Sequence, residues 1–148
     1  MAGKTTSVVA HQHVFSHDLR SASFVVQDFS IDGPNDISGL EKLVLTTFPH
    51  LAGTKLDVHV LDDGLSNLLL RVDCVQQNEE SFAFLVRING LETNSIVDRE
   101  LELNCMCALC EIRGVPKVYC VFNNGISYSY AKGRAMALPD FLLGDYHW

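Results

Sequence analysis

The stretch Phe82-Ala83-Phe84-Leu85-Val86-Arg87-Ile88-Asn89-Gly90 decides the fold of this chain. Six of the seven residues from Phe82 to Ile88 are apolar, and the other is Arg87. Alternation along a strand puts four large apolar side chains on one face: Phe82, Phe84, Val86 and Ile88. The opposite face carries Ala83, Leu85 and Arg87. A guanidinium on such a half-buried face needs an anionic partner, because an unpaired buried charge is very costly.

Turn and helix signals stand on either side of this strand. Upstream, the glycine turn Asp62-Asp63-Gly64-Leu65-Ser66-Asn67 separates two short apolar runs. Downstream, Asp98-Arg99-Glu100-Leu101-Glu102 is an acidic helix start. A turn, a basic strand and an acidic helix in this order are the parts of a kinase-type nucleotide lobe.

Length and composition limit the class of protein. The chain has 148 residues, which is room for one domain with a sizeable core. Its net charge of −7 argues against broad nucleic-acid binding. No apolar run approaches the roughly 18 residues that a membrane span needs. Residues 1–10 are not patterned as a signal peptide, so a cytoplasmic protein is expected.

The cysteines and histidines offer metal sites as an alternative interpretation. The odd count of five cysteines, without a secretory signal, predicts free thiols that are buried or half-buried. Cys105, Cys107 and Cys110 fall in a helical pattern that spreads them around the axis, which disfavours a shared metal. Three histidines lie in a polar first segment that is predicted to be mobile: His11, His13 and His17.

The hydrophobic patterns predict the order strand, helix, three strands, helix, two strands. The first strand contains Phe24, Val25 and Val26, with Phe29 and Ile31 following. Asn35 or Asp36 is expected to cap the first helix, which runs to Phe48. The further strands are predicted at 56–61, 68–74, 82–88, 118–122 and 126–130, the last two flanking Asn123-Asn124-Gly125. The second helix is predicted over 95–112, with an apolar stripe formed by Val97, Leu101, Cys105, Ala108, Leu109 and Ile112.

These elements predict an α+β fold. We expect a five-stranded, mainly antiparallel sheet with the second helix packed on it, preceded by an N-terminal strand and helix. Residues 1–19 are expected to be a flexible segment, 20–134 the folded lobe and 135–148 the start of another lobe.

Five short motifs resemble the choline/ethanolamine kinase family, and most of all its ethanolamine kinases. They are Asp62–Asn67, Leu85-Val86-Arg87-Ile88-Asn89-Gly90, Ile96-Val97-Asp98-Arg99-Glu100, Val118-Tyr119-Cys120-Val121-Phe122-Asn123-Asn124-Gly125 and Gly133-Arg134-Ala135. Each motif is weak alone, but the five stand in register across about residues 56–138. The resemblance implies the N-terminal lobe of a protein-kinase-like fold. It also implies phosphorylation of ethanolamine by ATP with magnesium, the entry step to phosphatidylethanolamine.

The resemblance also implies roles for particular residues. The phosphate-covering loop would comprise Asp63, Gly64, Leu65, Ser66 and Asn67. Arg87 would contact phosphate and be held by Glu102, with Glu100 as second choice. Adenine would bond to the backbone at Ser129, Tyr130 and Ala131. Without the family register, these residues would be interpreted as a hairpin turn, an arginine that reaches water and a solvated helix position.

The family's catalytic loop and magnesium-binding segment are not recognised after Arg134, so no catalytic or metal residue is predicted in this chain. We expect an N-terminal fragment or isoform of an ethanolamine kinase that is inactive alone. The alternative is a non-catalytic partner or regulator that binds a full-length family member. Pairing with itself or with such a member is consistent with either interpretation.

Overall fold

The computed structural model of the chain describes residues 24–63, 67–76, 81–90, 98–110 and 116–133. Six strands and two α-helices lie within these residues. The strands are β1 (Val25–Val26), β2 (Lys55–Asp63), β3 (Asn67–Val75), β4 (Phe82–Asn89), β5 (Val118–Phe122) and β6 (Gly125–Ser129). The helices are α1 (Ile37–Thr47) and α2 (Arg99–Leu109), and a 3-10 turn follows α1 at Pro49–Leu51. This order confirms the predicted succession of elements.

The strands form one mixed sheet in the order β1-β5-β6-β4-β3-β2. All neighbours are antiparallel except β1 and β5, which pair in parallel with Val25 opposite Cys120. All six predicted strands are present, but the N-terminal strand, which was expected to stand apart from a five-stranded sheet, joins that sheet as its sixth strand. Strand β1 has only two residues, which is too short for an apolar pattern to indicate a pairing. Its partner, β5, also comes much later in the chain.

The helix α1 covers the apolar face of β4. Phe84 and Val86 are fully buried there, as the alternation predicted. Asp36 begins α1 because its carboxylate accepts the N–H of Gly39 at 3.0 Å, which settles the choice between Asn35 and Asp36. The predicted apolar residues of α1 are all buried: Leu40, Leu43, Val44 and Phe48. This face is the main core of the protein.

The helix α2 lies on the opposite face of the sheet, the face of Arg87. Its N-cap is Asp98, whose carboxylate accepts the N–H of Leu101 at 3.0 Å, so the helix begins later than the predicted residue 95. The predicted apolar stripe is wrong, because Leu101 and Leu109 are 60% and 45% exposed and Cys105 and Ala108 are exposed too. Leu103 packs instead, together with Met106, Cys107, Val118 and Val121. Val97 and Ile112 lie outside the described residues.

The turn between β5 and β6 fastens the segment that follows β1. The side chain of Asn124 accepts the N–H of Ile31 at 3.1 Å and donates to its carbonyl at 2.9 Å. Asn123 bonds through its N–H to the carbonyl of Phe29 at 3.0 Å. Gly125 does not have a positive φ. It is required because a Cβ there would collide with the carbonyl oxygen of Arg87 and the ring of Phe122.

The five cysteines are free, and their environments differ. Cys74 and Cys120 are buried and Cys107 is half-buried, but Cys105 and Cys110 are exposed. The expectation that all are buried or half-buried is therefore wrong for two of them, because α2 turns that side to solvent. Burial raises the pKa of Cys120 to about 11. Within the described part of the chain, no helix is both long and apolar enough to cross a bilayer.

Candidate functional site

Arg87 and Glu102 join the sheet to α2 through a bidentate ion pair. Strand β4 turns Arg87 away from the main core, and the first turn of α2 carries Glu102 above it. The two terminal nitrogens of Arg87 lie 2.7 and 2.8 Å from the two carboxylate oxygens of Glu102. The side chains are 17% and 30% exposed, so water screens the pair only in part. The predicted pairing is confirmed, with Glu102 rather than Glu100 as the partner.

Glu102 is held from a second side by Arg99. A terminal nitrogen of Arg99, one helical turn earlier, lies 3.0 Å from the oxygen Oε2 of Glu102. The hydrogen bond from Arg87, with a smaller contribution from Arg99, holds the pKa of Glu102 below its ordinary value of 4.5. The carboxylate is therefore ionised and fixed at neutral pH, and it fixes the plane of the Arg87 guanidinium in turn.

Arg87 keeps donors for another acceptor. A guanidinium has five N–H groups, and two of those of Arg87 bond to Glu102. Its Nε is buried and has no hydrogen-bond partner among the described residues. A buried donor without an acceptor is unfavourable. Since the Nε atom itself is covered, a ligand would meet Arg87 through the 17% of its side chain that is exposed. Phosphate oxygens suit the planar, permanently charged fork of an arginine.

The sheet surface beside Arg87 is apolar along its middle. Leu69 on β3 and Ile126 on β6 lie opposite Arg87 in the two adjoining strand pairs. One step along the same face, Leu85 lies opposite Tyr128 of β6. Burial raises the pKa of Tyr128, whose hydroxyl therefore stays protonated over the ordinary pH range. The result is a half-buried apolar strip with a cation at one end.

A second polar cluster, which the sequence analysis missed, lies at the other end of this strip. A terminal nitrogen of Arg71 on β3 lies 2.6 Å from a carboxylate oxygen of Asp73. The guanidinium carbon of Arg71 also lies 4.5 Å from the centre of the Tyr130 ring. His59 on β2 approaches the other oxygen of Asp73 at 3.7 Å. Asp73 is only 5% exposed, so Arg71 provides the charge that compensates it.

The predicted phosphate loop is described only at its two ends. Asp63 ends β2 opposite Leu68, and Asn67 begins β3 opposite Asn89, at the end of the sheet where Arg87 lies. Gly64, Leu65 and Ser66 lie outside the described residues. The structure therefore places both ends of the loop close to Arg87 in the sheet, and the role of the loop stays a prediction.

The predicted adenine contacts lie where β6 ends. The N–H of Ser129 already bonds to the carbonyl of Lys117 at 2.9 Å, so it is not available to a base. Tyr130 carries the ring beneath Arg71, and Ala131 is exposed. A base contact at this position would use the carbonyl of Ser129 or the backbone of Tyr130 or Ala131, and that contact remains a prediction.

An open depression lies near this face, and no metal cluster is found beside it in the described ranges. No group of three or more His, Cys, Asp or Glu side chains there is placed to hold a metal ion. An open depression of about 430 Å³ lies at the end of the sheet away from Arg87, where His50, Ser81, Ala83, Tyr130 and Lys132 are among its lining residues. It borders the polar cluster at Tyr130 and does not include Arg87.

Comparisons with known proteins agree with this geometry. The chain is 31% identical over 117 residues to ethanolamine kinase 2 of Homo sapiens, which covers 79% of this chain and 30% of that protein. It is 33% identical over 88 residues to ethanolamine kinase 1 of Homo sapiens, covering 60% of this chain and 19% of that protein. The chain thus spans less than a third of the length of these relatives.

Solved structures show the same fold. An ethanolamine kinase of Plasmodium vivax superposes with a TM-score of 0.56 at 24% identity, covering 69% of this chain and 27% of that one. A choline kinase of Cryptosporidium parvum gives a TM-score of 0.52 at 23% identity, covering 66% and 28% of the two chains. The family model for choline/ethanolamine kinase matches residues 58–145. Because this match takes in more than half of the sequence, the chain belongs to the choline/ethanolamine kinase family.

Proposed function

We propose that this chain is the nucleotide-binding lobe of an ATP-dependent ethanolamine kinase. The reaction would move the γ-phosphoryl group of ATP to the hydroxyl of ethanolamine, in the cytoplasm and at the start of phosphatidylethanolamine synthesis. The observation that carries the proposal is the bidentate Arg87–Glu102 pair between strand and helix. The names of the human relatives supply the choice of ethanolamine as the acceptor.

Arg87 would bind the phosphates of ATP. Its guanidinium is oriented by Glu102, and a planar, permanently charged fork suits phosphate oxygens. The turn that joins Asp63 to Asn67 would cover the phosphates from above, since Gly64 leaves its backbone accessible. The apolar strip with Leu69 and Leu85 would then carry the nucleoside, with adenine reaching the backbone of Tyr130 and Ala131.

Phosphoryl transfer needs more than this surface. It requires bound magnesium, an oriented hydroxyl and a base in one closed cleft. The described sheet and α2 form one wall of such a cleft. We therefore expect residues 1–148 alone to bind ATP weakly and to show no detectable ethanolamine phosphorylation with radiolabelled ATP. Turnover that scales with the purified protein and disappears in Arg87→Ala would contradict that expectation.

Calorimetric titration of residues 1–148 with ATP and magnesium tests the proposal. We expect weak saturable binding that Arg87→Ala reduces by about tenfold or more, because a charged hydrogen bond is lost. Lys42→Met is a matched control, since Lys42 lies over Phe29 on the opposite face of the sheet, 4.7 Å from the ring centre. Wild-type protein that does not bind ATP, or Arg87→Ala that binds it as tightly as wild type, would refute the proposal.

A further inference from the structure

Arg71 reaches across a whole strand to touch Tyr130. Its own strand, β3, and the strand β6 that Tyr130 follows lie on either side of β4 in the sheet. Arg71 is paired opposite Leu85, the residue of β4 that is also paired opposite Tyr128. The Arg71 side chain therefore crosses β4 on the face of the sheet that carries Arg87. It does so near the end of β6, which Tyr130 follows. It lies on the apolar strip and not beside it.

The position of the Arg71 guanidinium is determined by three contacts. One terminal nitrogen bonds to Asp73 at 2.6 Å, the other lies 3.4 Å from the hydroxyl of Tyr130, and the central carbon lies 4.5 Å above the ring centre. Asp73 is itself buried, so it cannot easily release its partner. The guanidinium plane is thus fixed on one side by an aromatic ring, while 34% of the side chain remains exposed.

The guanidinium groups of Arg71 and Arg87 lie at different positions along this face. Arg71 is paired opposite Leu85, only two residues from Arg87 on β4, but its guanidinium lies over the ring of Tyr130. Tyr130 is four residues along the chain from Ile126, the residue opposite Arg87, which is about 13 Å in an extended strand. Such a span suits an extended nucleoside triphosphate with phosphate at Arg87. A flat, charged plane with an exposed side is also a surface on which bases stack, because guanidinium groups stack on aromatic faces.

We propose that Arg71 is a nucleobase-binding residue, and that the base of the nucleotide stacks on the guanidinium that Asp73 and Tyr130 hold over β4. The inference rests on the proposed function, since it takes the phosphate end of the nucleotide to lie at Arg87. It adds a side-chain platform for the base to the backbone contacts already expected at Tyr130 and Ala131.

Two probes separate the base from the phosphates: ATP and inorganic tripolyphosphate, each titrated with magnesium into purified residues 1–148. Arg71→Lys keeps the charge for Asp73 but removes the plane. We expect it to weaken ATP binding by about five- to tenfold, as loss of one stacking contact does, and to leave tripolyphosphate binding within about twofold. Arg87→Ala should weaken both probes, and Lys42→Met neither.

The outcomes distinguish the two proposals. If Arg87→Ala weakens both probes but Arg71→Lys changes neither, or changes both equally, Arg71 is only a structural tie and the inference is wrong while the proposed function stands. If wild type binds neither probe, both fail. A measurement without a variant checks the same point: photolabelling with 8-azido-ATP should mark a peptide that contains Arg71, because labelling of Tyr130 alone already follows from the proposed backbone contacts. Labelling confined to other peptides would overturn the inference even if Arg71→Lys does not fold.

Discussion

Glu102 is the residue on which the contact between α2 and the sheet depends. Its carboxylate accepts hydrogen bonds from the guanidinium groups of both Arg87 and Arg99, at 2.7 to 3.0 Å. Since Arg87 lies in β4, losing the carboxylate would leave a largely buried cation facing the helix. Uncompensated charges of this kind are far more costly than the net gain from forming the pair.

The first prediction concerns the dependence of stability on pH. The pKa of Glu102 is lowered by Arg87 and Arg99, so the ionised form is favoured in the folded protein. Its contribution is fully present above the ordinary value of 4.5 and is lost as pH falls through the lower folded value. We expect Glu102→Gln to lower the free energy of unfolding by about 1–2 kcal/mol at pH 7. This is less than for a fully buried ion pair, because water screens the partly exposed Glu102.

Urea unfolding of wild type and Glu102→Gln from pH 8 to pH 3 measures this difference. The gap in unfolding free energy should be constant at neutral pH and shrink below pH 4.5. Comparing the two proteins removes the contribution of Asp36, whose pKa is also lowered, by its hydrogen bonds from Gly39 and Asp32. A gap that widens on acidification would contradict the assignment of the carboxylate.

At the scale of elements, the helix α2 shows a limit of sequence patterns. A helical period indicates that apolar residues share a side, but a short helix can bury any side that fits its partner. Here the ion pair with Arg87 sets the rotation, so Leu103 faces Val118 and Leu101 faces solvent. The ion pair itself was predictable, because alternation in β4 left one arginine without compensation. The rotation of the helix that this ion pair requires was not predictable from the pattern.

The second prediction tests that rotation. Leu103→Ala should cost about 2–4 kcal/mol of unfolding free energy, because the side chain is 4% exposed and leaves a cavity. Leu101→Ala is the matched control, the same change on the same helix at a residue 60% exposed, and should change stability by less than about 0.5 kcal/mol. Equal effects in urea titrations would mean that α2 packs on a different side.

The third prediction concerns the start of β6. Gly125→Ala would place a methyl group against the carbonyl oxygen of Arg87 and the ring of Phe122. The backbone cannot move aside easily. We therefore expect the free energy of unfolding to fall by about 3 kcal/mol or more and the melting temperature to fall by roughly 5–10 °C. Gly133→Ala is the control, because a Cβ there meets no atom within 4 Å. A melting curve for Gly125→Ala that matches Gly133→Ala would contradict the close approach.

At the scale of the whole molecule, the sheet joins parts of the chain that no local pattern connects. The strands β2, β3 and β4 are consecutive, and their pairing was predictable from turns between alternating runs. The pairing of β5 with β6 was predictable from the turn at Asn123-Asn124-Gly125, but the positions of β6 beside β4 and of β1 beside β5 were not. These positions bring Arg71 to Tyr130 across 59 residues and Ile31 to Asn124 across 93. For this reason the sequence predicted the Arg87–Glu102 end of the candidate site but not the polar cluster at its other end.

The fourth prediction concerns the longest of these connections. Asn124→Ala removes two hydrogen bonds to the backbone of Ile31. We expect this change to lower the free energy of unfolding by about 1–3 kcal/mol. Cleavage by thermolysin between residues 24 and 33 should then become faster. Asn123→Ala is the control, because its side chain makes an exposed bond to Asp28 and should matter little. Equal cleavage rates for the two variants would show that Asn124 does not fasten the segment.

The partnership of Ile31 with Asn124 also has a consequence for biosynthesis. The ribosome makes Ile31 93 residues before the asparagine that holds it. At about 5–20 residues per second, the segment waits roughly 5 to 20 seconds for its partner. During that time Phe29 and Ile31, both buried in the finished protein, are apolar groups on a growing chain without their final cover. Nascent chains stalled before residue 124 should therefore bind holding chaperones at residues 24–33, and chains released beyond it should not.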